Sequence, residues 1–441
     1  MSLIDEQDEF LEYDLPPVIA EEEEDEEPRG PRWRLWLLIL LLLVMLGGMG
    51  YVYRAPILAF LTAKTDTQEP TQEETQAEAQ GETQDSTDGS VPSSEETIQT
   101  TENATYMQFE TAAKSKFFVL GGEKFFYCTK DGMKYFEGMS NQIWNQTFTL
   151  QTPSTTQKGE YVAVCELQGR NAMVYHTSGQ VYAVQADGQI LQYCLNENGA
   201  LALLLKNGDS YKIQVFSRAG ELMMERFEED SGVYPLALSL SADEKILAVS
   251  YLDTTTVEMS TKVLLFYTTR ADTEETETGE YFASVIEEGV VSPVLWCTDN
   301  GNFLAVSDHG IVAVAPDGTR AWSMELGNKI TAVDAYGDYF AVAMGETYPQ
   351  AEGMAEGTVV FYSQTGQQMA AFETGEAVTY LKCSSYGTVV GCGHDFWAVS
   401  PRNGKQIWQY RASGDVQDIL LVSKNRGLYV TSTTAQFQEF Q

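Results

Sequence analysis

From residue 105 to residue 441 the chain alternates apolar and polar positions over short runs, each long enough for one β-strand. Turn residues such as Gly, Asp and Asn separate these runs at intervals of roughly 8–12 residues. No run in this region has the apolar period of about 3.6 residues, sustained over several turns, that an amphipathic helix needs. The pattern therefore predicts an all-β domain, built as a sandwich, a barrel or a propeller.

An internal repeat favours the propeller. The residue that opens the last strand of each unit is followed, four positions later, by an apolar residue. The pairs are Ser140 with Trp144, Gly179 with Ala183, Gly220 with Met224, Gly279 with Ala283, Gly318 with Trp322, Gly366 with Ala370, and Gly404 with Trp408. Because this spacing keeps its register through seven units, we predict that Trp144, Trp322 and Trp408 dock one blade on the next.

The number of units predicts the number of blades. Second strands are expected to begin near Phe125, Tyr161, Ala200, Ile246, Phe303, Tyr339, Thr388 and Leu428. Eight units of roughly 42 residues suit four-stranded blades. The last unit ends after three strands, and we expect Thr105–Thr111 to supply its outer strand, since an unpaired edge would otherwise be exposed. The prediction is an eight-bladed β-propeller over residues 105–441, with seven blades as the alternative.

A different apolar pattern precedes the propeller. Residues 35–53 form a run of 19 residues without a charge. As a helix the run would be about 28 Å long, close to the thickness of about 30 Å of a membrane's hydrocarbon core. Arg29, Arg32 and Arg34 crowd its N-terminal side. Since basic residues remain cytoplasmic, we predict a single-pass signal anchor with the N-terminus in the cytoplasm and the propeller outside the cell.

Charge changes the picture of the flanking segments. The net charge of −37 argues against nucleic-acid binding, which needs basic surface. Residues 1–34 carry −10 and residues 65–104 carry −11. We expect 1–34 to be a disordered acidic tail, 54–64 a juxtamembrane segment and 65–104 a disordered Thr/Glu/Gln-rich stalk. Residues 5–17 are a candidate motif for a cytoplasmic partner, with a solubilising tail as the alternative.

Two repeat segments carry a resemblance to known propellers. GTVVGCGHDFWAVSPRNGKQIWQY (387–410) and FLAVSDHGIVAVAPDGTRAWSM (303–324) resemble the repeats of quinoprotein-type propellers, and SADEKILAVSYL followed by KVLLFY resembles a WD40-like repeat. With its acidic tail, single span and polar stalk, the chain resembles a family of membrane-anchored propellers of unknown function in Gram-positive bacteria. The resemblance implies a fold and a topology, and it implies no activity.

The sequence offers little material for catalysis. Quinoprotein dehydrogenases hold their cofactor with an adjacent Cys-Cys pair, whereas the six cysteines of this chain are never adjacent. Neither zinc-ligand spacing, a nucleophile elbow nor a phosphate loop occurs. We therefore predict no cofactor, no metal site and no catalytic residue. The cysteines are expected to be buried thiols or, alternatively, disulfides, with Cys383 and Cys392 as the nearest neighbours.

Two long loops between second and third strands are the candidate binding elements. They span 253–262 in the fourth unit and 345–357 in the sixth. Long loops on a rigid scaffold often carry binding residues, although tolerated insertions are the alternative. The candidate contact residues on this face are Asp253, Glu258, Glu346 and Tyr348 in the loops, with His309 and His394 in equivalent turns.

These observations predict a non-catalytic binding or scaffolding module at the cell surface. Its partner would be an envelope protein or a cell-wall polymer. One alternative is a transmembrane sensor that couples ligand binding outside to a cytoplasmic partner of residues 5–17. A second alternative is an envelope glycan hydrolase or lyase, which would need paired carboxylates at the propeller mouth.

The predicted topology can be tested with protease. Added to intact cells or spheroplasts that express the chain, protease is expected to cut the stalk at 65–104 and release the domain at 105–441, because the stalk lies outside the cell. Immunoblotting of the supernatant measures the release, and permeabilised cells are the control. Protection of the domain in intact cells would contradict the orientation.

Overall fold

The fold is described from a computed structural model that covers residues 96–101, 105–269, 280–345 and 357–441. The chain divides into two compact units, Met1–Thr87 and Asp88–Gln441. The predicted tail, membrane span, juxtamembrane segment and most of the stalk lie outside the described residues, as do Glu346 and Tyr348. Within the described residues, no helix has the length and apolar character needed to cross a membrane.

The described part begins with strands β1 (Thr97–Thr100) and β2 (Thr105–Gln108) and a 3₁₀ helix (Thr111–Ala113). Eight antiparallel sheets then follow in chain order, and we number them as blades 1 to 8. Blade 1 contains β3 (Lys116–Gly121), β4 (Lys124–Thr129), β5 (Gly132–Glu137) and β6 (Gln142–Thr147). Blade 2 contains β7 (Pro153–Lys158), β8 (Tyr161–Glu166), β9 (Asn171–His176) and β10 (Gly179–Gln185). Blade 3 contains β11 (Gln189–Leu195), β12 (Leu201–Asn207), β13 (Ser210–Phe216) and β14 (Leu222–Glu228).

The next four blades repeat this arrangement. Blade 4 contains β15 (Val233–Leu240), β16 (Ile246–Asp253), β17 (Ser260–Tyr267) and β18 (Tyr281–Glu288). Blade 5 contains β19 (Val294–Cys297), β20 (Phe303–Val306), β21 (Gly310–Val314) and β22 (Arg320–Glu325). Blade 6 contains β23 (Ile330–Tyr336), β24 (Tyr339–Met344), β25 (Thr358–Ser363) and β26 (Gln368–Glu373). Blade 7 contains β27 (Tyr380–Ser384), β28 (Gly387–Cys392), β29 (Asp395–Val399) and β30 (Gln406–Arg411).

Blade 8 closes the ring with strands from both ends of the domain. It contains β31 (Val416–Leu421), β32 (Arg426–Thr431) and β33 (Thr434–Glu439), and β2 pairs with β33 as the fourth strand. The predicted closure by residues near 105–111 is confirmed. The structure adds a fifth strand, because β1 pairs with β2 at the outer edge. The folded domain thus begins inside the segment that we had assigned to the stalk.

The eight-bladed prediction is confirmed, and the seven-bladed alternative is excluded. Eight buried apolar clusters each join two consecutive blades, including one between blade 8 and blade 1. Second strands such as β24 and β28 are buried almost throughout, whereas fourth strands such as β6 and β22 alternate between exposed and half-buried positions. The central strands are covered on both faces, which explains their continuous apolar sequences.

The repeat found in the sequence is a contact between blades. Gly366, which opens the last strand of blade 6, has φ +77, and a Cβ on it would lie 2.9 Å from the ring of Trp322 in blade 5. Gly318 of blade 5 has φ +83, and a Cβ there would overlap Ala283 of blade 4. Glycine satisfies both requirements, the left-handed backbone and the close approach.

The three predicted docking tryptophans lie between blades. Each indole N–H donates to a backbone carbonyl of the next blade: Trp144 to Thr177 at 2.8 Å, Trp322 to Gln364 at 3.3 Å, and Trp408 to Lys424 at 3.0 Å. Trp408 also stacks on Phe440 with ring centroids 4.4 Å apart. Each tryptophan thus combines a large apolar ring with an indole N–H that has a hydrogen-bond partner.

The effect of the close contact at Gly366 on stability can be measured separately from the effect of its positive φ. We expect Gly366→Ala to lower the free energy of unfolding by about 1–3 kcal/mol more than Gly375→Ala, because only the first adds overpacking. Gly375 is the matched control, since it has φ +72 in the same blade and no atom within 4 Å of an added Cβ. Denaturant unfolding measures both variants. Equal losses would show that the contact with Trp322 contributes nothing.

Candidate functional site

A cavity of about 390 Å³ lies at the centre of the ring, against the first strands of blades 2 to 5. These strands line the propeller axis in order: β7 contacts β11, β11 contacts β15, and β15 contacts β19. The cavity extends toward the turns that connect first and second strands. Its volume falls within the range of about 300–1,000 Å³ that is usual for small-molecule sites.

The first strands can be compared at equivalent positions around the axis. In blades 2 to 8 we take as reference the residue at the end of the first strand, whose backbone pairs with the second strand across the turn. These residues are Lys158, Asn196, Ser241, Thr298, Tyr336, Ser384 and Val422. We call the residues four positions earlier the axial level. They are Ser154, Gln192, Ala237, Val294, Ala332, Tyr380 and Asp418. Blades 7 and 8 place a ring or a charge at this level, and so does blade 1, where Phe117 stands four positions before Gly121.

Tyr380 lies between blades 7 and 8, where it packs against the apolar cluster that joins them. The Tyr380 hydroxyl donates to the Asp418 carboxylate at 3.0 Å and accepts from the backbone N–H of Ile419 at 3.1 Å. Two positions nearer the turn, Lys382 lies 3.8 Å from Asp334. Burial raises the pKa of Asp418, and the hydrogen bond from Tyr380 opposes that effect. Tyr380 and Asp418 therefore form a half-buried polar pair, whereas Lys382 is exposed.

The cavity is lined by residues of the first strands at two levels. Gln192, Ala237 and Val294 line it at the axial level, and Cys194 and Ser239 line it two positions nearer the turn. Trp296 is the largest residue at the second level, and its ring meets that of Phe340 edge-on at a centroid distance of 6.0 Å.

Two buried polar atoms in the cavity wall lack partners. The Gln192 Oε1 acceptor and the Trp296 Nε1 donor are shielded from solvent, and neither has a hydrogen-bond partner among the described residues. A buried polar group without a partner costs about 1–3 kcal/mol. Buried polar atoms are normally satisfied by protein, water or ligand. Since solvent reaches neither atom, both lie behind the surface of the cavity, and a molecule bound there would not contact them.

Side-chain hydrogen bonds hold the rim of the cavity in place. The Asn196 amide N–H donates to the Ser241 carbonyl at 3.0 Å, and this bond joins blade 3 to blade 4. The Asn196 amide oxygen accepts from the Ala200 N–H at 2.8 Å within blade 3. Lys158 lies 3.7 Å from Glu197 across the boundary of blades 2 and 3. The carboxylates of the lining are Glu197 and Asp299, both exposed at the rim. Paired carboxylates suited to glycan cleavage do not occur in this lining.

The cavity also contains two thiols. All six cysteines are free, and Cys194 and Cys297 line the wall. Burial raises the pKa of Cys194 to about 12 and that of Cys297 to about 11. Both thiols are consequently neutral near pH 7 and poor nucleophiles. Across the described ranges, His, Cys, Asp and Glu form no group of three that could hold a metal ion.

The residues predicted from the loops lie at the other end of the blades. Strands alternate in direction, so turns between second and third strands face away from the cavity mouth. Glu258, His309 and His394 are exposed there, and His309 Nδ1 lies 3.0 Å from the carboxylate of Asp308. His309 and His394 are in blades 5 and 7, and each contributes a backbone carbonyl to the strand connection that follows. The structure does not gather these residues into one cluster.

Asp253 has a structural role. It is buried, accepts from the Thr255 N–H at 2.8 Å and hydroxyl at 2.6 Å, and forms an ion pair with Lys262. Lys262 and Thr255 lower the pKa of Asp253 to about 2. The carboxylate organises the turn between β16 and β17 and is not available to a partner.

Sequence reasoning missed Gln192 and Trp296. It searched loops and reactive side chains, whereas these residues lie within first strands that read as ordinary strand sequence. Residue size at the positions before each first turn gives no clear signal, since blade 3 has Gln192 there and blade 6 has Ala332.

A family model described as "Family of unknown function (DUF5711)" matches residues 94–438. No curated protein matches the chain. Among solved structures, BamB from Moraxella catarrhalis is similar at 12% identity and TM-score 0.47, over 78% of this chain and 100% of that one. The Pan2 WD40 domain from Neurospora crassa is similar at 12% identity and TM-score 0.42, over 65% of this chain and 87% of that one.

The turn at Asp253 predicts a pH dependence. The folded pKa of about 2 lies below the ordinary value of 3.8, so the stabilisation is present above pH 4 and is lost as the pH falls toward 2. We expect Asp253→Asn to be less stable than the wild type near pH 6 and the difference to shrink toward pH 2. Denaturant unfolding across this range measures it, with exposed Glu258→Gln as control. A difference that does not vary with pH would refute the assignment.

Proposed function

Because the chain belongs to the DUF5711 family, whose function is unknown, its role must be argued from its own geometry. We propose that it is a non-catalytic binding module whose propeller captures a partner through the central cavity. The observation that carries this proposal is the preformed cavity of about 390 Å³ against the first strands of blades 2 to 5.

The chemistry of the lining supports a binding role for this cavity. The neutral thiols and the rim position of the carboxylates give the cavity no acid–base pair, which favours binding over catalysis.

The location of the module is part of the proposal. The uncharged run at 35–53 and the preceding arginines support a single-pass anchor in the cell membrane, with the N-terminus in the cytoplasm. The acidic segment that follows supports a solvated spacer between membrane and propeller. The partner would then be an envelope protein or a cell-wall polymer, reached from the cavity mouth.

Two exposed tyrosines allow a matched crosslinking test in intact cells. Tyr336 lies at the first turn of blade 6 and lines a small pocket next to Trp296, and Tyr281 lies on the outer strand of blade 4. They are 48% and 56% exposed, so a photoreactive phenylalanine fits at either. We expect a crosslinked product from position 336 and none from 281, and Gln192→Met should remove the product. The readout is a shifted band on an immunoblot.

The same experiment includes the opposing face. A photoreactive residue at position 348, in the long loop of blade 6, reports on the face predicted from the loops. A product from 348 that is insensitive to Gln192→Met, with none from 336, would move the binding site to that face and overturn the cavity proposal. Equal amounts of crosslinked product from positions 336 and 281 would show that the partner contacts the propeller at no defined site, which would also overturn the cavity proposal.

A further inference from the structure

We infer that the central cavity takes a neutral sugar ring, that is, a pyranose unit that carries several hydroxyl groups and no charge. This inference rests on the proposed binding function and specifies its ligand. Three features of the cavity point to this chemistry: two free hydroxyl groups on separate blades, an indole ring at the same level, and carboxylates at the rim.

Two hydroxyl groups in the cavity wall are free to bind a ligand. Ser239 is 5% exposed and lines the cavity, and its Oγ has no hydrogen-bond partner among the described residues. Unlike the Oε1 of Gln192, this Oγ is not shielded from solvent, so it opens on the cavity. The Thr156 hydroxyl, in a half-buried residue of the lining, is likewise unshielded and without a partner in the described part of the chain. A ligand that bonds to these hydroxyls replaces water and breaks no contact within the protein.

The two hydroxyls occupy equivalent positions on either side of blade 3. Thr156 and Ser239 each lie two positions before the reference residue of their strand, and Cys194 holds this position in the blade between them. Strand β11 of blade 3 contacts both β7 and β15, which carry the two hydroxyls. A ligand at this level therefore meets hydroxyls from two directions, and it needs polar groups on more than one side to bond to both. Hydroxyl groups placed around a ring meet this need, because each of them both donates and accepts.

An indole ring continues the same level in blade 5. Trp296 lies two positions before the reference residue of its strand, is half-buried and lines the cavity. Leu238 and Leu295 add aliphatic surface to the lining. An indole offers a large, flat apolar surface. A sugar ring carries C–H groups on its faces and hydroxyl groups around its edge, so it can pack against the indole and still bond to the hydroxyls of the wall.

The charges around the cavity favour a neutral ligand over an anionic one. Glu197 and Asp299 are exposed at the rim, and the basic residue of the lining, Lys158, lies 3.7 Å from Glu197. At the level of Ser239 the described residues of the lining carry no charge. An anionic group would be repelled at the rim, and inside it would lose hydration without gaining an opposite charge. The hydroxyl groups of a sugar, in contrast, can donate to the rim carboxylates.

The sugar ring can belong to a free monosaccharide or to one unit of a polymer. Both sources present the same ring to the cavity, and they differ in what extends beyond the rim. The methyl glycosides of glucose, galactose and N-acetylglucosamine probe a single ring, and cellotriose and chitotriose probe a chain. The matched control is 2-methoxytetrahydropyran, which keeps the ring and methoxy group of a methyl glycoside but has no hydroxyl. Glucose 6-phosphate tests the effect of charge.

The test uses the purified full-length chain in a detergent without sugar groups, and ligand-observed NMR measures binding. We expect at least one methyl glycoside to bind the wild type about tenfold more tightly than 2-methoxytetrahydropyran, because the glycoside alone bonds to the wall hydroxyls. Ser239→Ala and Thr156→Val should each weaken glycoside binding about fivefold, since each removes one hydroxyl and little volume. Binding of 2-methoxytetrahydropyran should be unchanged in both variants.

Stability separates a binding role of Ser239 from a structural one. Ser239→Ala should leave the unfolding midpoint unchanged, since no hydrogen bond within the described protein is lost. Ser384→Ala in blade 7 is the matched control: the Ser384 hydroxyl donates to the Gly387 carbonyl at 2.7 Å, so its loss should lower the midpoint and leave glycoside binding unchanged. A lower midpoint for Ser239→Ala with unaltered glycoside binding would show that Ser239 acts in folding alone and overturn the inference.

The remaining outcomes distinguish the inference from the proposed function. Equal binding of the methyl glycosides and 2-methoxytetrahydropyran, or tighter binding of glucose 6-phosphate than of methyl glucoside, would overturn the assignment of a neutral sugar. Failure of all the sugar probes, together with a crosslink from position 336 that depends on Gln192, would overturn the ligand class while the binding function stands. Failure of the probes and of that crosslink would overturn both. Tighter binding of a trisaccharide than of its methyl glycoside would identify a polymer as the source, and equal binding a free sugar.

Discussion

The close approach between neighbouring blades is the constraint on which this structure depends. At Gly366 and Gly318 the backbone turns through positive φ directly against a residue of the preceding blade. A side chain in either position would push two sheets apart. Eight interfaces between blades close one ring, so a small displacement of the sheets at each interface would add up around the axis. The first strands would then no longer meet. The same close approach occurs at Gly220 and Gly404, so four of the seven recurrences of the spacing follow from this requirement.

Closure of the ring has a second condition, which the N-terminal strands meet. Blade 8 has three strands from the C-terminal end, and β2 completes it by pairing with β33. The fifth strand, β1, covers the edge that β2 would otherwise expose. Phe109 and Met107 enter the cluster between blades 8 and 1, so this closure is made by packing as well as by hydrogen bonds.

Against this background the central cavity is a local exception. The same axial level carries Tyr380 and Asp418 on one side and Gln192, Ala237 and Val294 on the other. The rim is held by the Asn196 hydrogen bonds, so the space is preformed and does not depend on a moving loop. A preformed site spends little of its binding energy on ordering. This favours recognition of a compact group over the wrapping of an extended polymer.

The sequence by itself determined the fold, because the signals for it are local: glycine at positive φ, apolar second strands and a repeated spacing all act within one unit. It did not reveal β1, because TIQT at 97–100 shows no apolar alternation and gains its partner from a neighbouring strand. It directed attention to loops such as 253–262, where Asp253 is instead buried in its own turn. Only the tertiary structure decided where the candidate site lies. The cavity is lined by the first strands of four blades, and these strands meet only once the ring has brought them to a common axis.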